Sequence, residues 1–308
     1  MKFVLLIICL FFVRVLPAQK PVTIECRIGE GIGKIMQLSG VNNGQQKILA
    51  SASYAQNGYY GFRFIPEYEG FYVLGDGKNH EYPLYLKAGD AVSLFMDKDT
   101  IYLTGKNNTA ENKVLYDWVN LSKRVCEKSI FFTRSRSTYE DFFPEFEVLL
   151  SKIKPFCKNI ETKNSRFNEL MKHFISYELD RFALNFIYTP RSKHPSKEQR
   201  IAYYNSIVDN NKFQDEVILE MPDGIKLLKL YMMFYCLENK KNASDLQESL
   251  AVIPNRKLQG TLVVEQAKGF GRSYFEYMEF MEKAKKYVDA DQLKILEDKA
   301  SELYEAKK

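Results

Sequence analysis

The sequence predicts an α+β protein in which an N-terminal antiparallel β-sandwich or open barrel is followed by an all-helical domain. Three observations carry this. Between residues 20 and 105, apolar and polar side chains alternate in short runs, broken by turn signals at about ten-residue intervals. From Thr109 onward the apolar period lengthens to that of a helix. Hydrophobic residues make up 45% and charged residues 27% of the 308-residue chain, a globular balance that excludes a disordered or low-complexity protein.

The first eighteen residues read as a targeting segment and are set aside from the fold. Lys2 opens a short positive region, Val4 to Val13 form the apolar run, and Leu16-Pro17-Ala18 ends on a small residue before Gln19. The run is shorter than the roughly 20 residues that span a bilayer, and no later segment qualifies. No lipobox precedes Cys9 or Cys26. The expectation is a cleaved signal peptide and a mature chain in the periplasm or cell envelope, not a transmembrane protein.

Eight strands are predicted in order. Val22, Ile24, Cys26 and Ile28 alternate with Thr23, Glu25 and Arg27. The others are Lys34–Leu38, Lys47–Ser53, Tyr60–Ile65, Gly70–Leu74, Tyr82–Leu86, Ala91–Leu94 and Thr100–Thr104. Asn42-Asn43-Gly44, Asn57-Gly58, Asp76-Gly77 and Ala88-Gly89-Asp90 supply the turns between them. Gly29–Gly33 reads as a turn or bulge because it has neither the helix context nor the lysine of a phosphate cradle.

The helical half begins at Thr109, a suitable N-cap, with Val114, Trp118, Leu121 and Val125 at helical spacing. A longer stripe of Met171, Ile175, Leu179, Phe182 and Phe186 lies between Ser165, the expected cap, and Pro190. Further helices are expected at Ser196–Asp209, Pro222–Glu238, Ala243–Ala251, Gln259–Gly269, Ser273–Tyr287 and Asp291–Ala306. The boundary falls at Gly105–Asn108, read as a polar hinge, giving domains at 19–105 and 106–308.

Charge excludes nucleic acid as the main partner. Lys plus Arg number 44 against 39 Asp plus Glu, a net +5 that falls to +3 without Lys2 and Arg14. Chemistry is equally sparse. His80, His173 and His194 lie far apart with no ligand spacing, so neither a metal nor a cofactor is expected. Glu178 and Asp180, two apart on a helix, point to different faces and make a poor carboxylate pair. The mature cysteines Cys26, Cys126, Cys157 and Cys236 contain no CxxC pair. They read as buried thiols, with a Cys126–Cys157 bridge between neighbouring helices or a reactive thiol as alternatives. Tyr54, Tyr59, Tyr60 and Tyr68 belong to an aromatic cluster. Core packing accounts for it, and stacking on a glycan or peptide at loop tips is the functional alternative.

The stretch from Tyr82, YPLYLKAGDAVSLFMDKDTIYLTGKNNTAENKVLYDW, pairs a strand ending in Gly-Asp with an LTGKN…EN entry into a helix. The earlier GYYGFRFIPEYEGFYVLG is a matching hairpin. Together they resemble the β-rich N-terminal domain and helical spacer of the TlpA-like (ResA-like) thiol–disulfide oxidoreductases. That resemblance implies an envelope protein from a redox family, in which a C-terminal thioredoxin fold with a Cys-x-x-Cys motif does the chemistry. No such motif is present, so no catalytic residue transfers, and the chain is expected not to catalyse thiol exchange. Three functions follow as expectations. The first is a non-enzymatic accessory or binding module whose partner is an envelope protein, a peptide or a thioredoxin-fold protein. The second is part of an oxidoreductase whose redox domain is lost or separately encoded. The third is a glycan- or peptide-binding protein.

Overall fold

A computed structural model describes residues 20–53, 58–77, 80–131, 135–208, 212–271 and 273–306. The α+β architecture is present, with eight strands in two four-stranded sheets followed by helices. The strands are β1 (Val22–Ile28), β2 (Ile35–Asn42), β3 (Gln45–Ser53), β4 (Tyr59–Phe64), β5 (Gly70–Gly75), β6 (Glu81–Leu86), β7 (Ala91–Met96) and β8 (Ile101–Leu103). One sheet runs β4-β1-β7-β8, the other β3-β2-β5-β6. The second is antiparallel throughout. In the first, β1 pairs in parallel with β7, Ile24 opposite Val92 and Cys26 opposite Leu94. The sandwich is therefore mixed rather than purely antiparallel. β1 lies between two strands distant in sequence, and a strand added across such a crossover runs in whichever sense the connection delivers it.

The alternation read from the sequence decides which faces meet. Val22, Ile24 and Cys26 of β1 point inward against Met36, Leu38, Tyr72, Leu74, Leu84, Val92 and Leu94. The β3-β2-β5-β6 sheet has a second buried face. Every residue of β5 is buried; Phe71 stacks on Phe174 at 5.0 Å, and Tyr85 meets Phe167 edge-on at 4.9 Å. The molecule therefore has three layers: sheet, sheet and helices.

The helices are α1 (Ala110–Ile130), α2 (Tyr139–Lys158), α3 (Ser165–Tyr188), α4 (Tyr203–Ile207), α5 (Gly224–Glu238), α6 (Leu246–Leu250), α7 (Arg256–Lys268), α8 (Tyr274–Ala284) and α9 (Ala290–Glu305). Short 3-10 turns occupy Lys197–Gln199, Val217–Glu220 and Lys285–Tyr287. Thr109 caps α1 as expected, accepting from the Asn112 N–H at 3.2 Å. α3 is capped by Asn164 rather than Ser165. The helix expected at Ser196–Asp209 is reduced to a 3-10 turn and α4. α2 is not among the helices read from periodicity, because Pro144 and Pro155 lie inside it. Among the described residues, no helix is long and apolar enough to cross a membrane.

The junction between strand and helix is a clamp, not a hinge. Asn108 is buried; its side chain accepts from the Ser93 N–H at 3.0 Å and donates to the Ser93 and Thr104 carbonyls at 3.0 and 2.6 Å. One helical turn later, Asn112 accepts from the Tyr85 N–H at 3.0 Å and donates to its carbonyl at 2.8 Å. The two amides of the LTGKNNTAEN segment thus bind one strand in each sheet and set α1 across the open end of the sandwich.

A second junction is backbone to backbone. Asn43 and Gly44 at the β2–β3 turn both have positive φ, 49° and 72°, as a tight hairpin turn requires. The Gly44 N–H donates to the Leu219 carbonyl at 2.6 Å, and the Gly44 carbonyl accepts from the Ile225 N–H at 3.0 Å. Gly224 stands there without a side chain; a Cβ would lie 2.0 Å from the Ile218 carbonyl oxygen.

Candidate functional site

Where the helices meet the sandwich they leave a cleft of about 350 Å³, at the small end of the roughly 300–1,000 Å³ typical of ligand pockets. Helical spacing builds one wall: Trp118, Ser122, Cys126 and Ile130 recur every fourth residue along one face of α1. Phe174, Tyr177, Glu178, Arg181 and Phe182 of α3 form the second wall. Val73 and Pro83 of the middle sheet line the sandwich side, and Met221 to Gly224 with Leu227 close the end at the start of α5. The β7–β8 turn, Asp97 to Thr100, forms the rim, where Lys123 of α1 donates to the Asp99 carbonyl.

A charged cluster lies among these apolar walls. Arg181 donates to Glu178 from Nε at 2.8 Å and from its terminal nitrogen at 2.7 Å, and lies 3.4 Å from Asp223, which is 3.1 Å from Lys226. Burial raises the Glu178 carboxyl above its ordinary value although Arg181 opposes it. Burial also acts on Asp223, but there Arg181 and Lys226 together outweigh it and hold the carboxyl low. Among the described lining residues, six carboxylates (Glu81, Asp97, Asp99, Glu127, Glu178 and Asp223) face four cations (Lys98, Lys123, Arg181 and Lys226), an excess of two negative charges. Trp118 is 1% exposed, and its indole N–H has no hydrogen-bond acceptor among the described residues. A buried donor without a partner is costly, and the residue that carries this one is part of the cleft wall.

The residues singled out from the sequence do not converge. Tyr60 is buried in the sandwich and donates to the Gly33 carbonyl at 2.9 Å. The Tyr68 hydroxyl accepts from the Val41 N–H at 2.5 Å and donates to the Phe71 carbonyl at 3.0 Å, while its ring stacks on Tyr72 at 4.8 Å. These two rings are framework, because their hydroxyls satisfy backbone groups at strand ends. Tyr59 is 42% exposed, and Tyr54 lies outside the described residues. Cys126 and Cys157 are free thiols in the structure, as are Cys26 and Cys236. Burial pushes Cys26 and Cys126 up to about 12, and in Cys126 the nearby Arg181 does not offset it. Cys157 and Cys236 are raised by burial as well. Thiols held protonated in this way are poor nucleophiles.

Glu178 and Asp180 face apart as their spacing predicts. Glu178 enters the cleft, whereas Asp180 is buried with Lys212 at 2.6 Å and the Tyr203 hydroxyl at 2.9 Å. His80 binds Asp76 at 2.8 Å on the cleft rim, and His194 accepts from the Arg191 N–H at 3.1 Å. No group of three or more metal-ligating side chains occurs among the described residues.

Sequence reasoning missed Arg181 and Asp223 and did not place Cys126 on the wall of a cleft. The one available signal was the mixed face of α1, where Ser122 and Cys126 follow Trp118 at four-residue steps and break an apolar stripe. No family model, curated protein or solved structure matches the chain.

Proposed function

We propose that the chain is a non-enzymatic accessory module of the cell envelope that binds its ligand in the cleft between sandwich and helices. The observation carrying this reading is the cleft itself. Its walls are mostly apolar by area, charged groups of both signs converge in it, and one of its wall residues carries a buried donor with no partner among the described residues; apolar walls with convergent polar groups are the usual composition of a binding site. The sequence supports the setting, since the leader-like segment points to export and the resemblance to TlpA-like proteins falls on their non-catalytic region. The LTGKNNTAEN segment that carries the resemblance acts as an architectural clamp here. The protonated state of the cysteines favours a module that performs no thiol chemistry itself, leaving any such chemistry to a thioredoxin-fold partner.

Two measurements test this. N-phenyl-1-naphthylamine, a neutral apolar dye, is expected to bind saturably with energy transfer from Trp118, the single tryptophan in the chain; absence of transfer overturns the binding reading. Purified protein is expected not to turn over in dithiol-dependent insulin reduction. Turnover there would move the chain to the oxidoreductase reading.

A further inference from the structure

We propose that the cleft receives the positively charged amino terminus of an apolar peptide. The inference rests on the cleft being a binding site and deepens that reading by naming what it takes. Three independent features converge. The described lining residues carry an excess of two negative charges although the whole chain is net positive at +5. Local acidity against the global sign is a selection for cations, since field lines concentrate in a cleft with apolar walls. The carboxylates are distributed at two depths. Asp99 and Glu127 line the rim, Glu127 with 42% of its side chain exposed, while Glu178 lies deeper with 15%.

The second feature is the Trp118 indole, buried and without an acceptor in the described chain. It calls for an oxygen that accepts and does not donate, such as a peptide carbonyl. The third is the apolar surface of Phe174 and Met221, which suits an aliphatic or aromatic side chain. A peptide amino terminus offers all three in one compact unit: an ammonium, a carbonyl on the adjacent carbon and an apolar side chain between them. A phosphate, a sulfonate or a fatty acid would supply an acceptor but place a negative charge against the acid excess.

The test is a charge series on the full chain, read by calorimetry and by Trp118 emission. The probes are Leu-Phe-amide (cationic), N-acetyl-Leu-Phe-amide (neutral) and N-acetyl-Leu-Phe (anionic). The cationic probe is expected to bind about tenfold or more tighter than the anionic one, with the neutral one between. The double variant Asp99→Asn/Glu127→Gln removes two of the rim carboxylates and is expected to narrow that preference to roughly threefold. Trp118→Phe, read by calorimetry alone, is expected to weaken all three probes by a similar factor. Equal affinity across the series, or preference for the anion, overturns the proposal while dye binding in the cleft leaves the binding module standing. Loss of both dye and peptide binding overturns both.

Discussion

The side chain of Asn112 makes two hydrogen bonds to the Tyr85 backbone in a fully buried position. Truncation would strand a buried N–H and a buried carbonyl at once, and a stranded group costs about 1–3 kcal/mol. Asn112→Ala is therefore expected to lower stability by about 2–6 kcal/mol, measured as a shift of the urea midpoint at constant slope; a shift below the error of the fit would refute the clamp. Glu238 illustrates charge at the same scale. Burial raises its carboxyl, but hydrogen bonds from Lys197 at 2.7 Å and Arg200 at 2.5 Å outweigh burial and hold it below the ordinary value. A depressed folded-state value contributes stability that is complete above the unfolded carboxylate range and lost as pH falls through the folded value. The stability difference between wild type and Glu238→Gln is thus expected to be largest near neutrality and to shrink below about pH 4. Stability curves that stay parallel through the acid limb would contradict this.

At the scale of elements, α2 and the β2–β3 turn show packing deciding what propensity does not. α2 holds its helix despite Pro144 and Pro155 because Phe142, Phe143 and Phe146 anchor it; Phe142 lies flat on Phe186 of α3 at 4.0 Å. The β2–β3 turn reaches α5 only because Gly224 allows the two backbones to meet. Gly224→Ala places a methyl group against the Ile218 carbonyl, which is backbone and cannot swing aside. The expected cost is about 3 kcal/mol, toward the upper end for overpacking, with a lowered thermal midpoint as readout. A thermal midpoint equal to wild type would show that the turn is not pinned there. β3 is an edge strand with Ile48 and Leu49 exposed, and the register shift between Leu38 and Ser39 leaves Leu49 as the extra residue of a bulge. Such a bulge twists an edge away from pairing with other strands.

At the scale of the whole molecule, the sheet β3-β2-β5-β6 belongs to two cores. Leu74 and Leu84 face the sandwich, and Phe71 and Tyr85 face the helices. Neither half buries its apolar surface without the other, so the two regions are expected to unfold together. Far-UV circular dichroism, dominated by the helices, and Tyr and Trp emission are expected to give coincident denaturation curves. Separated midpoints would mean two independent domains. The cleft has the same origin, since its walls come from α1, α3, the start of α5 and the middle sheet.

Local pattern carried the fold class. Alternation in Val22 to Ile28 and in the runs that follow, broken by Asn-Gly and Asp-Gly turns, determines strands with one buried face. Apolar residues three and four apart determine α1 and α3, with Thr109 marking where α1 starts. These signals are legible because each depends on neighbours along the chain. Tertiary structure alone decided the parallel β1–β7 pair, the second buried face of β5, the helix through Pro144 and Pro155, and the contents of the cleft. Trp118, Arg181 and Asp223 stand 63 and 42 positions apart in sequence, and nothing local to any of them records the others. Their meeting follows from the clamp of Asn108 and Asn112 and from the close approach at Gly44 and Gly224, contacts that exist only once the layers have packed.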